Sequence, residues 1–270
     1  AVKNGTDTDY EWLNSELASG TYNDNTMVIF IKDGNWSNPN NWSSGYVPNK
    51  NGRAAIGANL TIANGEKAEI AYITNVPSSY YTAGTITIED GGQLIAGEAA
   101  IENVKVKKEI AGHGGDAQNG WYAISTPMGN EINNTYYNNL ITDDYDLFYY
   151  NETKWYWDNF KADDNKFNRF RLGEAYLYAN RDNNTIVSVG MPNMNPVSVS
   201  VSNTNYTPNN NTQDYKLRGF NLIGNPFTYD IGWGSGQAIS SSILANGYYT
   251  LGTDGSWNSK TGNSEPIKAG

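Results

Sequence analysis

The chain holds one histidine, His113, and no cysteine, so the side chains best suited to act as bases, nucleophiles or soft metal ligands are almost missing. His113 sits in AGHGGDAQNG (111–120), a glycine-rich stretch that suits a turn or a boundary better than the fixed geometry of a general base. There is no G-x-S-x-G elbow, no H-E-x-x-H and no phosphate-cradling glycine loop between strand and helix. Carboxylates remain. Asp143, Asp144 and Asp146 in ITDDYD, with Asp163 and Asp164 in KADDNKFN, lie close in sequence to amide side chains. Calcium takes about six to eight oxygens from such loops, which makes these five the candidate ligands of a structural Ca2+, although neither run has EF-hand spacing. Together with Asp158 they also offer carboxylate pairs for glycoside hydrolysis, which needs two acids about 5–10 Å apart. Acids in Asn-rich loops are ordinarily solvated turn residues. The expectation is a chain that is not an enzyme and has no cofactor beyond that candidate Ca2+.

A second chemistry is aromatic. YDLFYYNETKWYWDNF (145–160) reads as a hairpin turning at NETK, with rings on both faces. One face should enter the core. The other leaves either Phe148, Tyr150 and Tyr156, or Tyr149, Trp155 and Trp157, towards solvent. Exposed rings suit the C–H faces of sugars, and neighbouring Asn and Asp pair with hydroxyls. Tyr150, Trp155, Tyr156 and Trp157 are therefore the candidate ligand-binding residues. The structural alternative is cross-strand ring packing that only steadies the hairpin. Trp36 and Trp42 are expected to plug the end of an N-terminal sheet.

The elements that position these residues are strands. Twenty Tyr and 8 Trp stand among Gly, Asn, Ser and Thr in a chain of 270 residues that is only 38 % hydrophobic, a mixture that favours short strands joined by turns. The pI near 4.6 and net charge of −10 speak against nucleic acid and anionic membrane as partners, and no apolar run of bilayer-spanning length occurs. Residues 1–25 hold the one expected helix, capped by Thr8 or Asp9 and ended by Gly20. MVIFIK (27–32), RAAIG (53–57), NLTIA (59–63), KAEIAYI (67–73), TITIE (85–89), QLIA (93–96) and IENVKVKKEI (101–110) are strand candidates. LTIANGEKAEI looks like an Asn-Gly hairpin, but that register sets Ile62 against Lys67 and Leu60 against Glu69. A one-residue shift, or a corner between coils, restores the faces. Residues 1–110 are thus expected to form a β-solenoid-like roll or a sandwich, with 111–120 as the boundary.

Residues 111–270 carry an internal echo. GWYAISTPM (120–128) returns as GFNLIGNPF (219–227), 99 residues later. Trp155 and Trp257 follow at a distance of 102 and Gly173 and Gly270 at 97, so the expectation is a tandem β-sandwich-like unit. Copy one spans about 120–202 and includes a strand at PVSVSVS (196–202); copy two spans about 219–270. The chain stops where copy two should begin its next strand, which predicts an edge near Gly270 that is open or filled by a neighbouring chain.

GNWSNPNNWSSGYVPNKNG, the TITIEDGGQLIAG strands, GWYAISTPM and GFNLIGNPFTYDIGW resemble segments of large Bacteroidetes surface and secreted proteins of the type IX secretion kind. The resemblance implies an extracellular or outer-surface, multi-module, all-β protein and transfers no catalytic residue. With AVKNGTD at its start and no Met, the chain reads as a mature or excised fragment. The expected function is a structural or adhesive module of a larger exported protein, with other modules of that protein as partners. The rival expectation is a carbohydrate-binding module working through the 145–160 hairpin.

Overall fold

A computed structural model describes residues 27–76, 83–116, 119–162, 167–204, 219–232, 247–252, 254–261 and 266–269. The helix expected within 1–25, Asp163, Asp164 and Gly270 lie outside the described residues. Among those residues the chain is all-β, and its only helical element is the short 3-10 turn Pro39–Asn41.

The first part winds between two sheets. β1 (Met27–Phe30), β3 (Arg53–Ile56), β5 (Lys67–Asn75) and β7 (Gln93–Ala100) form one parallel sheet. The strands that alternate with them, β2 (Gly34–Asn35), β4 (Leu60–Ile62), β6 (Ile86–Ile88) and β8 (Val104–Ile110), form the parallel part of another. β4 and β5 thus belong to different sheets. ANGE between them is a corner, and the hairpin with its mismatched faces does not form.

Parallel register stacks like on like. Leu60 lies beside Ile86 and Ile86 beside Val104; Ile62 lies beside Ile88 and Ile88 beside Val106. All six are buried, while Thr61 and Thr87 between them point outward. This is the period of a half-buried strand. The corners are stacked as well. The Asn59 amide group donates from N and Nδ2 to the Asp33 carboxylate (2.8 and 3.2 Å), and Thr85 donates from Oγ1 to Asn59 Oδ1 (3.0 Å), 26 residues separating each from the next. One end of the stack is closed by rings. Phe30, Trp36 and Trp42 meet edge to face with centroids 4.9 Å apart, and Trp42 Nε1 donates to the Trp36 carbonyl (2.8 Å).

Strand pairing runs straight across the glycine-rich stretch at 111–120. β9 (Tyr122–Ile124), β10 (Tyr137–Asn138), β11 (Tyr145–Asn151), β12 (Tyr156–Asn159), β13 (Tyr176–Asn180) and β14 (Asn184–Gly190) follow it. β14 pairs antiparallel with the whole of β8, from Asn184 beside Ile110 to Gly190 beside Val104, and carries β10 on its far side. The remaining four make an antiparallel sheet in the order β12-β11-β13-β9. Its core gathers Ile124, Leu147, Tyr137, Phe170, Tyr176 and Tyr178.

The last part holds two small pairs. β15 (Ile231–Gly232) joins β18 (Pro266–Ile267), and β16 (Gly247–Leu251) joins β17 (Trp257–Thr261). PVSVSVS is not a strand despite its alternation. Its end is held by a side chain in place of a ladder: Ser202 N donates to Asn221 Oδ1 (3.0 Å), and Asn221 Nδ2 returns to Ser202 O (2.9 Å). Val197 and Val199 press over Gly173, where an added Cβ would stand 2.3 Å from Val199.

Candidate functional site

The four candidate ligand-binding rings are not a solvent-facing platform. Tyr150 and Trp155 are each only 5 % exposed, and Tyr156 and Trp157 are half-buried. Hairpin register puts Tyr150 opposite Trp157, with centroids 5.1 Å apart. Tyr149, on the other face, runs into a chain of rings through Phe167 and Tyr176 to Phe170 and Tyr137, at 4.7–6.0 Å per step. Both faces are used, because rings on both sides of a hairpin can each find a neighbour when the strand lies mid-sheet. Lys154 lies 5.6 Å over the Tyr156 ring.

The turn of this hairpin is a clamp. Trp155 takes φ +55°, a left-handed conformation that costs a bulky residue about 1–2 kcal/mol, and its side chain is buried. Glu152 beside it is buried. Its carboxylate accepts from Ser202 Oγ (2.6 Å), Thr204 Oγ1 (2.6 Å), Thr204 N (2.8 Å) and Gly219 N (3.3 Å). Burial alone would raise its pKa, but these hydrogen bonds favour the charged form more and hold it below the ordinary value. Glu152 therefore ties the first hairpin to the segment that opens the second nine-residue motif.

The candidate calcium ligands diverge. Asp144 faces Arg181 (3.4 Å) and Asp146 faces Lys161 (2.8 Å), while Asp143 is exposed. No cluster of three or more acidic, His or Cys side chains able to hold a metal occurs among the described residues. Asp158 is buried and accepts from Asn151 Nδ2 (3.2 Å). His113 organises its own loop: its N donates to Asn180 O (3.0 Å) and its Nδ1 accepts from Gly115 N (3.1 Å). A cavity of about 20 Å³ bordered by Ile124, Pro127, Tyr137, Phe170 and Ser188 has room for one water. Burial raises the pKa of Tyr176 far above normal and that of Tyr178 to about 12, so both stay neutral hydrogen-bonding core residues.

Exposed rings lie elsewhere. Phe220 (42 %), Tyr249 (50 %) and Trp257 (45 %) are all open to solvent. Opposite residues of an antiparallel pair share a face, so Tyr249 beside Ser259 and Leu251 beside Trp257 put both rings on one side of β16–β17. Sequence reasoning passed over this face. The available signal was a Trp opening a polar strand, WNSKT.

The two motifs themselves lie side by side. Ser125 Oγ donates to Asn225 O (3.1 Å), and Gly224 N to Gly173 O (2.9 Å). Asn193 serves both prolines, donating from N to Pro127 O (2.7 Å) and from Nδ2 to Pro226 O (3.3 Å). In comparisons with known families, known proteins and solved structures, nothing matches this chain. No helix among the described residues is long and apolar enough to cross a membrane.

Proposed function

We propose that this chain is a non-enzymatic structural or adhesive module of a larger exported bacterial surface protein, in which a short β-solenoid carries a twice-used β-sheet motif. The observation that carries the reading is how the polar side chains are spent. Glu152, Asp144, Asp146 and Asp230 each engage a donor or cation within the chain, while large apolar rings face outward only in the second hairpin among the described hairpins. Side chains committed to holding segments together suit display, because catalysis needs groups left free to react. The acidic, polar surface keeps such a unit soluble outside the cell.

Presentation of the full chain on a bacterial display strain tests this, with attachment to cells and matrix proteins as the readout. Attachment above that of the strain lacking the chain is expected; hydrolysis of glycoside, ester or peptide substrates by the purified chain would overturn the reading. Of its four candidate rings, the carbohydrate-binding alternative keeps only Tyr156 and Trp157 as partly accessible. A glycan array separates it: binding that Trp157→Ala abolishes without loss of folding would favour it.

A further inference from the structure

PVSVSVS alternates as a strand does and belongs to none: no residue from Met191 to Thr204 lies in a ladder. Its backbone is extended all the same. Val197 and Val199, two residues apart, both reach over Gly173, which is the side-chain period of a strand. Ser202 N donates to Asn221 Oδ1 (3.0 Å), Ser202 O accepts from Asn221 Nδ2 (2.9 Å), and Thr204 N donates to Glu152 Oε1 (2.8 Å). In extended backbone the N–H and C=O of one residue point to one edge, and those of the next residue point to the other. Ser198, Ser200, Ser202 and Thr204 therefore share the edge that Asn221 and Glu152 hold. Val197, Val199 and Val201 turn their N–H and C=O groups to the opposite edge, and none of these groups is hydrogen-bonded among the described residues. Val199 is 36 % exposed, and Ser198 and Ser200 are exposed beside it.

What fits this edge is written in its own sequence. Val-Ser-Val-Ser-Val reads the same in both directions. An antiparallel copy about a twofold axis at Val199 sets Val199 against itself and Val197 against Val201, so valine meets valine on one face and serine meets serine on the other. Such an interface is isologous and closes at two copies. Charge singles out the same place. A chain of net charge −10 repels its own copies, but no Asp, Glu, Lys, Arg or His occurs from Asn183 to Gln213. An unpaired, β-prone edge without charge is the kind that pairs with another chain.

We propose that residues 197–201 are a self-association strand, through which two copies of this chain pair antiparallel about Val199. Each copy exchanges both N–H···O=C bonds with its partner at Val199–Val199 and at the two Val197–Val201 pairs. The partner is a second copy of the chain, and the inference stands apart from the adhesive reading. Asn221 and Glu152 already hold the segment straight from its other edge, so pairing spends little on ordering it.

Sedimentation equilibrium of the full chain over a concentration series tests this, and a monomer–dimer equilibrium is expected. Val199→Lys and Val199→Asp each put like charges across the axis and should weaken dimerisation at least tenfold. Mixing the two variants should restore a dimer holding one copy of each. Cysteine, which the chain lacks, reads the register: Val199→Cys should crosslink to itself on oxidation, whereas Val197→Cys should crosslink with Val201→Cys and not with itself. A chain that stays monomeric throughout the series would overturn the site. So would a dimer indifferent to both charges, or folded charge variants that do not recover on mixing. Where a charge variant fails to fold, the cysteine pairs decide, and crosslinking of Val197→Cys to itself as readily as Val199→Cys would overturn the register.

Discussion

The hairpins β11–β12 and β16–β17 have the same register and the same ring contact, Trp121 on Phe148 and Phe220 on Tyr249, yet one is built into a core and the other stands at the surface. In the first, Tyr178 on the adjoining strand is fully buried and the Glu152 carboxylate draws three donor residues around the turn. In the second, Tyr249 and Trp257 are about half exposed and the turn is held by Asp254 taking Ser256 N (3.1 Å) and Oγ (2.6 Å). One motif thus serves as either core or surface. Among the described residues only the first has a further strand beside its hairpin and a buried carboxylate at its turn, and hairpin sequence alone does not say so.

That comparison can be broken by mutation. Tyr178→Ala removes a fully buried ring and its hydrogen bond to Leu140 O (3.0 Å), and should cost about 3–5 kcal/mol in urea unfolding. Tyr249→Ala, at the surface, should cost under about 0.5 kcal/mol; equal losses would mean that the second ring is as buried as the first. Glu152→Ala strands the donors of Ser202, Thr204 and Gly219 and should cost about 1–3 kcal/mol. Trp257→Ala has no such donors to strand.

The same carboxylate sharpens the contrast through pH. The folded pKa of Glu152 lies below its ordinary 4.5, so the stability it contributes is fully present above that value. It fades as pH falls through the lower folded value. Wild type should therefore lose midpoint on acidification below about pH 4.5 faster than Glu152→Gln, and parallel curves would remove Glu152 from the account. The smallest effect is reserved for the second copy's ion pair. Lys268 is largely exposed and Asp230 partly so, and Lys268→Ala should change stability by about 0–1 kcal/mol, less at high salt.

Much of the framework is legible in sequence. TITIE and NLTIA alternate as half-buried strands do, and the charge mismatch in LTIANGEKAEI counts against the simple two-residue hairpin, leaving a shifted register or a corner. The nine-residue echo marks segments that do lie together through Ser125, Asn193 and Asn225. PVSVSVS misleads because alternation shows which residues share a face, not whether a neighbouring strand will bond to it. The aromatic hairpin misleads for a related reason. Rings on both faces leave period 2 without a buried side, and Tyr150 lies inward against Trp157 of the facing strand, a contact that alternation does not reveal. Trp157, which opposes Tyr150 as Trp257 opposes Leu251, precedes Trp257 by 100 residues, nearer the 99 of the nine-residue echo than the 102 that separates Trp155 from Trp257.

Asp33, Asn59 and Thr85 mark one corner at intervals of 26 residues. Each such turn of chain pairs with the turn above or below it, and adjacent parallel strands are about 4.8 Å apart. The stack is therefore a ruler graduated in whole turns. Inserting or deleting a 26-residue block moves everything mounted on it outward or inward by about 4.8 Å and redesigns nothing else.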